Sequence, residues 1–191
     1  MSYNFSKGFE MKIVKILLTT LASIIIIVLV AAAVLPDQYA LEREVSINQS
    51  SDKVFNYIKF IKNMDDYSVW AKIDPDMKQT YSGTDGKVGF IAVWESGHEH
   101  VGKGEQEIKK IVDGISIETE LRFIEPFEAT DQAILKTDAI SDTQTKVTWS
   151  FSGNMPYPMN LMLVMIDMEK ELGVPLAKGL ENLKAIMEKK Q

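Results

Sequence analysis

The hydrophobic pattern divides the chain at about residue 36. From Ile16 to Leu35 it reads ILLTTLASIIIIVLVAAAVL, twenty residues with no charge. As a helix such a run spans about 30 Å, the thickness of a bilayer's hydrocarbon core. Ile24 to Val34 has no polar face, which sets it apart from the amphipathic helices of soluble domains. Lys7, Lys12 and Lys15 precede the run, and Pro36 and Asp37 follow it. The positive-inside bias then keeps the N-terminus in the cytoplasm and puts the rest outside. The expected division is a cytoplasmic tail over 1–15, a transmembrane anchor over 16–35 and one domain over 38–190. A cleaved signal peptide processed near Ala31, Ala32 and Ala33 is the competing reading, but the apolar run exceeds the roughly 7 to 15 residues of a signal's core.

Beyond the anchor the period changes. Leu41, Arg43, Val45 and Ile47 alternate with Glu42, Glu44, Ser46 and Asn48, the period-two pattern of a half-buried strand. Ser50 or Ser51 can cap a following helix in which Val54, Phe55 and Ile58 recur at helical spacing. Trp70 lies in a short helix or loop. Six further strands are expected at Lys78–Ser82, Val88–Glu95, Gly104–Val112, Ile115–Ile124, Thr130–Ala139 and Lys146–Gly153, with Gly, Asp or Pro between them. Connections as short as "DG" and "SDTQT" force antiparallel neighbours, so the strands form a meander. From Pro158 onward Leu161, Met165, Met168, Leu172, Leu176, Leu180, Leu183 and Met187 make one apolar helical stripe, bent at Gly173 and Pro175. The fold class is α+β: a curved antiparallel sheet of seven strands around a long C-terminal helix, preceded by one transmembrane helix.

Charge and composition narrow the chemistry. The 191 residues carry a net charge of −6, and removing the first 36 leaves 18 basic and 26 acidic residues, or −8. No Lys/Arg cluster exists to neutralise phosphates, so nucleic acid is not an expected partner. Anionic lipid would repel this domain, which leaves residues 16–35 as its attachment to a membrane. With no cysteine there is no thiolate nucleophile, disulfide or zinc ribbon.

Two stretches carry a resemblance. "YSVWAKIDPDMKQTYSGTDGKVGFIAVWESGHEHVGKGEQEI" (67–108) and "MEKELGVPLAKGLENLKAIME" (168–188) resemble the polyketide cyclase/dehydrase branch of the START-related (SRPBCC) superfamily. Val69 stands where relatives have proline, and His98-Glu99-His100 replaces an Asn-rich tip. The element order matches that superfamily's helix-grip arrangement. The resemblance implies a cavity between sheet and helix that holds an apolar or amphipathic small molecule. It does not imply catalysis, because the superfamily contains carriers as well as enzymes.

His98 and His100, with Glu95 or another carboxylate, could in principle ligate a metal, but neither HExxH nor a Cys/His zinc spacing is present. Between "SG" and "VGKG" they read as a solvated hairpin tip. No metal and no cofactor is expected. Gly83 to Gly89 lacks Walker spacing and reads as hairpin glycines. Asp65, Asp66, Asp74 and Asp76 lack EF-hand spacing. The residues expected to line a ligand site are Arg43, Trp70, Trp94, Gln106, Phe123, Trp149, Met162 and Met165. Aromatics on alternate strand positions can form a cavity wall, and methionine adapts to a variable apolar ligand. Arg43 and Gln106 are polar members of inward-facing sets. The leading expectation is membrane-anchored binding of a hydrophobic small molecule or lipid. The alternatives are a cyclase- or hydrolase-like enzyme that polarises an apolar carbonyl through Arg43, Gln106, His98 or a carboxylate, and a tethered interaction or chaperone module.

Overall fold

The computed structural model describes residues 3–189. It divides into two compact units: Met1–Asp37 with Met155–Met165, and Gln38–Asn154 with Ile166–Gln191.

In the first unit, helix α1 runs over Tyr3–Val34. Its stretch Phe9–Val34, 26 residues, is long and apolar enough to cross a bilayer, and its most apolar 18-residue window has a mean hydropathy of 2.8 and is only 6% buried. The apolar helix thus starts earlier than the uncharged run suggests, because Lys12 and Lys15 are good helix formers and do not interrupt it. Inside the helix the Thr19 hydroxyl donates to the Lys15 carbonyl at 2.9 Å and the Ser23 hydroxyl to the Thr19 carbonyl at 2.9 Å. These two hydroxyls are therefore satisfied without water.

The second unit is a seven-stranded antiparallel sheet in the order β1-β7-β6-β5-β4-β3-β2. The strands are β1 (Gln38–Ile47), β2 (Lys78–Ser82), β3 (Ile91–Glu95), β4 (Lys103–Val112), β5 (Ser116–Glu125), β6 (Ala129–Ser141) and β7 (Gln144–Asn154). Between β1 and β2 lie α2 (Ser51–Ile58), α3 (Met64–Tyr67) and 3-10 turns at Ile61–Asn63 and Trp70–Lys72. Ser50 is the N-cap of α2, but its side chain makes no capping bond.

The C-terminal helix differs from the sequence reading. A continuous helix from Pro158 is not formed. After a 3-10 turn at Met159–Leu161, the short helix α4 covers Met162–Met165 and belongs to the first unit. The chain then breaks, and Asp167 opens a new helix: its side chain accepts the Lys170 N–H at 3.1 Å and its carbonyl accepts the Glu171 N–H at 2.9 Å. A π-turn over Glu169–Gly173 follows, and then α5 over Val174–Met187 with Pro175 in its first turn. Pro175 comes just after the π-turn, so Gly173 and Pro175 mark a wide turn where a bend is expected. Leu176, Leu180, Leu183 and Met187 bury the inner face of α5 against Ile47, Ile108, Ile117, Leu135 and Val147.

Candidate functional site

Strand alternation puts Tyr39, Leu41, Arg43, Val45 and Ile47 on one face of β1, and the pairing registers carry that face across the sheet. One inner row runs Arg43, Trp149, Leu135, Ile117. Four residues earlier on β1, past the row of Leu41, Phe151, Ala133 and Thr119, another runs Tyr39, Gly153, Asp131, Leu121, Gln106, Ala92 and Tyr81. The next holds Phe123, Gly104 and Trp94. The first row is core. Trp149 is 3% exposed, edge-on to Tyr67 at 5.8 Å and to Trp70 at 6.4 Å between ring centres. In the outer two rows Ala92, Leu121 and Phe123 are only partly buried, as are Leu41, Trp70 and Leu172. These residues make the open apolar part of the inner face.

Buried polar groups sit in this face. The Tyr39 hydroxyl donates to Asp131 Oδ2 at 2.8 Å. Asp131 is 3% exposed, and its Oδ1 has no hydrogen-bond partner. Burial raises the Asp131 carboxyl above its ordinary value, and the Tyr39 hydrogen bond partly offsets this. Burial, reinforced by Asp131, also raises the Tyr39 phenol, so it stays a donor. The pair can meet only because residue 153 is glycine, since a Cβ there would collide with both Asp131 Oδ1 and the Tyr39 ring. In the same row the Gln106 amide, 7% exposed, donates to the Thr119 hydroxyl at 2.9 Å. Tyr67 Oη and Trp149 Nε1 are likewise buried without partners.

The expected site residues are therefore not all together. Trp94 and Phe123 pack edge to face at 5.7 Å in the open part, with the Trp94 indole N–H donating to the Val101 carbonyl at 3.2 Å. Arg43 is on the inner face but is held by Glu169, with a second bond to the Glu42 carbonyl at 2.6 Å. Its guanidinium lies against Gly173, where a Cβ would make it shift. Three strands lie between β1 and β4, so four strand spacings put Arg43 and Gln106 about 20 Å apart, and they cannot polarise one carbonyl. Met162 and Met165 lie in α4 of the first unit and not, as the helical stripe suggests, in the helix that packs on the sheet, and Met165 is 85% exposed.

The histidines occupy the turn between β3 and β4, beside an open cleft of about 610 Å³ lined also by Asp76, Glu95, Lys103 and Glu125. The Ser96 hydroxyl donates to Asp74 and accepts the His98 backbone N–H at 2.9 Å. His98 Nδ1 accepts the His100 N–H at 3.2 Å. Ser96 thus gives its proton to a carboxylate, which the same bond holds below its ordinary value, and no imidazole activates it. Among the described residues no group of three or more His, Asp or Glu side chains is arranged to hold a metal ion.

Sequence reasoning missed Tyr39, Asp131 and Leu121. Parity along β5 and β6 could have found the last two, since Leu121 shares a face with Phe123, and Asp131 with Ala133 and Leu135.

No family model and no curated relative matches the sequence. Solved structures do match. Norcoclaurine synthase from Thalictrum flavum, in complex with dopamine and hydroxybenzaldehyde, is 14% identical with a TM-score of 0.60 over 81% of this chain and 89% of that one. A ginseng major latex-like protein from Panax ginseng is 12% identical with a TM-score of 0.58 over 80% and 99%. The Aha1 dimer from Colwellia psychrerythraea is 14% identical with a TM-score of 0.54 over 79% and 97%. The fold shared with them is the Bet v1/START-like helix-grip fold.

Proposed function

We propose that the helix-grip unit binds a hydrophobic small molecule or lipid on the open part of its inner sheet face. In this reading α1 holds the unit at a membrane as a single-pass anchor, with the N-terminus cytoplasmic and the unit outside. The local likeness to the polyketide cyclase/dehydrase branch of the START-related superfamily is consistent with it. The observation that carries the reading is the composition of one row. Leu121 and Ala92, half-buried and apolar, flank buried polar groups, one of which, Asp131 Oδ1, is unpartnered. Natives rarely leave such an oxygen unsatisfied, because it costs about 1–3 kcal/mol. An apolar ligand with one hydrogen-bonding group would cover Leu121 and Phe123 and satisfy Asp131. Most of the affinity would come from apolar area.

A second reading, catalysis on an apolar carbonyl compound, is favoured by the same pair. Burial raises the Asp131 carboxyl above its ordinary value, and in its protonated form a carboxyl can donate a hydrogen bond to a carbonyl oxygen. Titration of residues 37–191 with a panel of apolar fluorophores tests binding. Leu121→Asn should weaken the best probe roughly tenfold or more, the equivalent of one lost leucine contact. No saturable binding by any probe would count against the reading. Asp131→Asn separates the two: a carrier keeps its affinity for apolar probes, and an enzyme loses turnover.

A further inference from the structure

The second piece of the first unit, Met155–Met165, reads MPYPMNLMLVM and contains no charged residue. It is fastened to the C-terminal end of α1. Asn160, 2% exposed, donates from Nδ2 to the carbonyls of Ala32 at 2.7 Å and Leu35 at 3.2 Å. These belong to the last turn and its exit, where helix carbonyls have no intrahelical partner. The Met155 N–H donates to the Asp37 carbonyl at 2.7 Å, which closes a second tie. Asn160 thus does at this helix end what water does at an exposed one.

The free side of the piece is apolar. Tyr157 is 53% exposed, Met159 48%, Val164 68% and Met165 85%, and Val34 at the end of the helix is 80% exposed. An exposed cluster of this kind marks an interaction surface. What covers it follows from what it is joined to. α1 carries the apolar stretch Phe9–Val34, and the piece is bonded to that stretch's last residues. The first charges beyond each end are Asp37 after the helix and Asp167 after the piece. A tyrosine, prolines and long apolar side chains without charge at that depth suit the boundary between headgroups and acyl chains.

We propose that Met155–Met165 is a second membrane-contacting element, an interfacial shelf that inserts Tyr157, Met159, Val164 and Met165 into the bilayer surface beside the exit of α1. This rests on the reading of α1 as a membrane span, and its test keeps the two apart. The chain has no cysteine, so single cysteines at Met165 and, separately, at Ile26 can carry an environment-sensitive fluorophore in the full-length protein. The protein is reconstituted in phosphatidylcholine vesicles with and without doxyl-labelled lipid. The fluorophore at Met165 should shift to the blue and lose most of its emission to shallow doxyl groups, and that at Ile26 to deep ones. Quenching at Ile26 with a water-like, unquenched signal at Met165 overturns the shelf and leaves the anchor standing. Absence of quenching at both overturns the anchor and the shelf with it. Asn160→Ala adds a check on the tie: the Met165 signal should become water-like and the Ile26 signal should not change.

Discussion

Asp131 concentrates the chemistry of the inner face in one side chain. Its carboxyl is buried, and burial raises its pKa above the ordinary 3.8, so the folded state favours the protonated form. The stability this gives is fully present at low pH and is lost as the pH rises from 3.8 toward the higher folded value. Asp131→Asn cannot titrate, so its stability relative to the parent should grow with pH over that range, as read by urea unfolding at a series of pH values. Parallel pH curves for the two proteins would show that the carboxyl is not strained by burial. Tyr39→Phe removes the hydrogen bond that Asp131 Oδ2 accepts and should cost about 1–3 kcal/mol in the same experiment. At this scale the sequence was legible where parity spoke. Gln106 is buried on the inner face as its alternation implies. Asp131 went unread because an aspartate near a strand start looks like a turn residue, although its parity with Ala133 and Leu135 puts it on the inner face.

The strands were readable as elements because turn residues separate them, so the meander of β2 to β7 follows from punctuation and period, whereas the pairing of β1 with β7 does not. The C-terminal helix was readable in its second half, where Leu176, Leu180 and Leu183 keep the stripe. Its beginning was not. The apolar residues of 159–165 continue the helical spacing, but Pro156 and Pro158 isolate that piece, and Asp167 starts the helix afresh. Asp167→Ala should therefore destabilise the domain by about 1 kcal/mol, the typical loss of an N-cap, measured by chemical denaturation. The Arg43 to Glu169 pair should matter less. Glu169 is 61% exposed, and Glu169→Gln should cost well under about 1 kcal/mol.

For the whole molecule, the sequence separates an apolar helix from an acidic domain, and the structure adds that the apolar part has two pieces, α1 and 155–165. No periodicity could reveal that pairing, since Asn160 and Ala32 are 128 residues apart. The central claim is that the domain carries a hydrophobic molecule on its inner sheet face. Its most direct test is mass spectrometry of organic extracts from purified residues 37–191, beside the same protein with Leu121→Asn. The account predicts a recurrent apolar compound in the parent, present near stoichiometrically and depleted in the variant. Repeated extracts without such a compound, from a folded parent that also fails to take up any apolar probe, would contradict it.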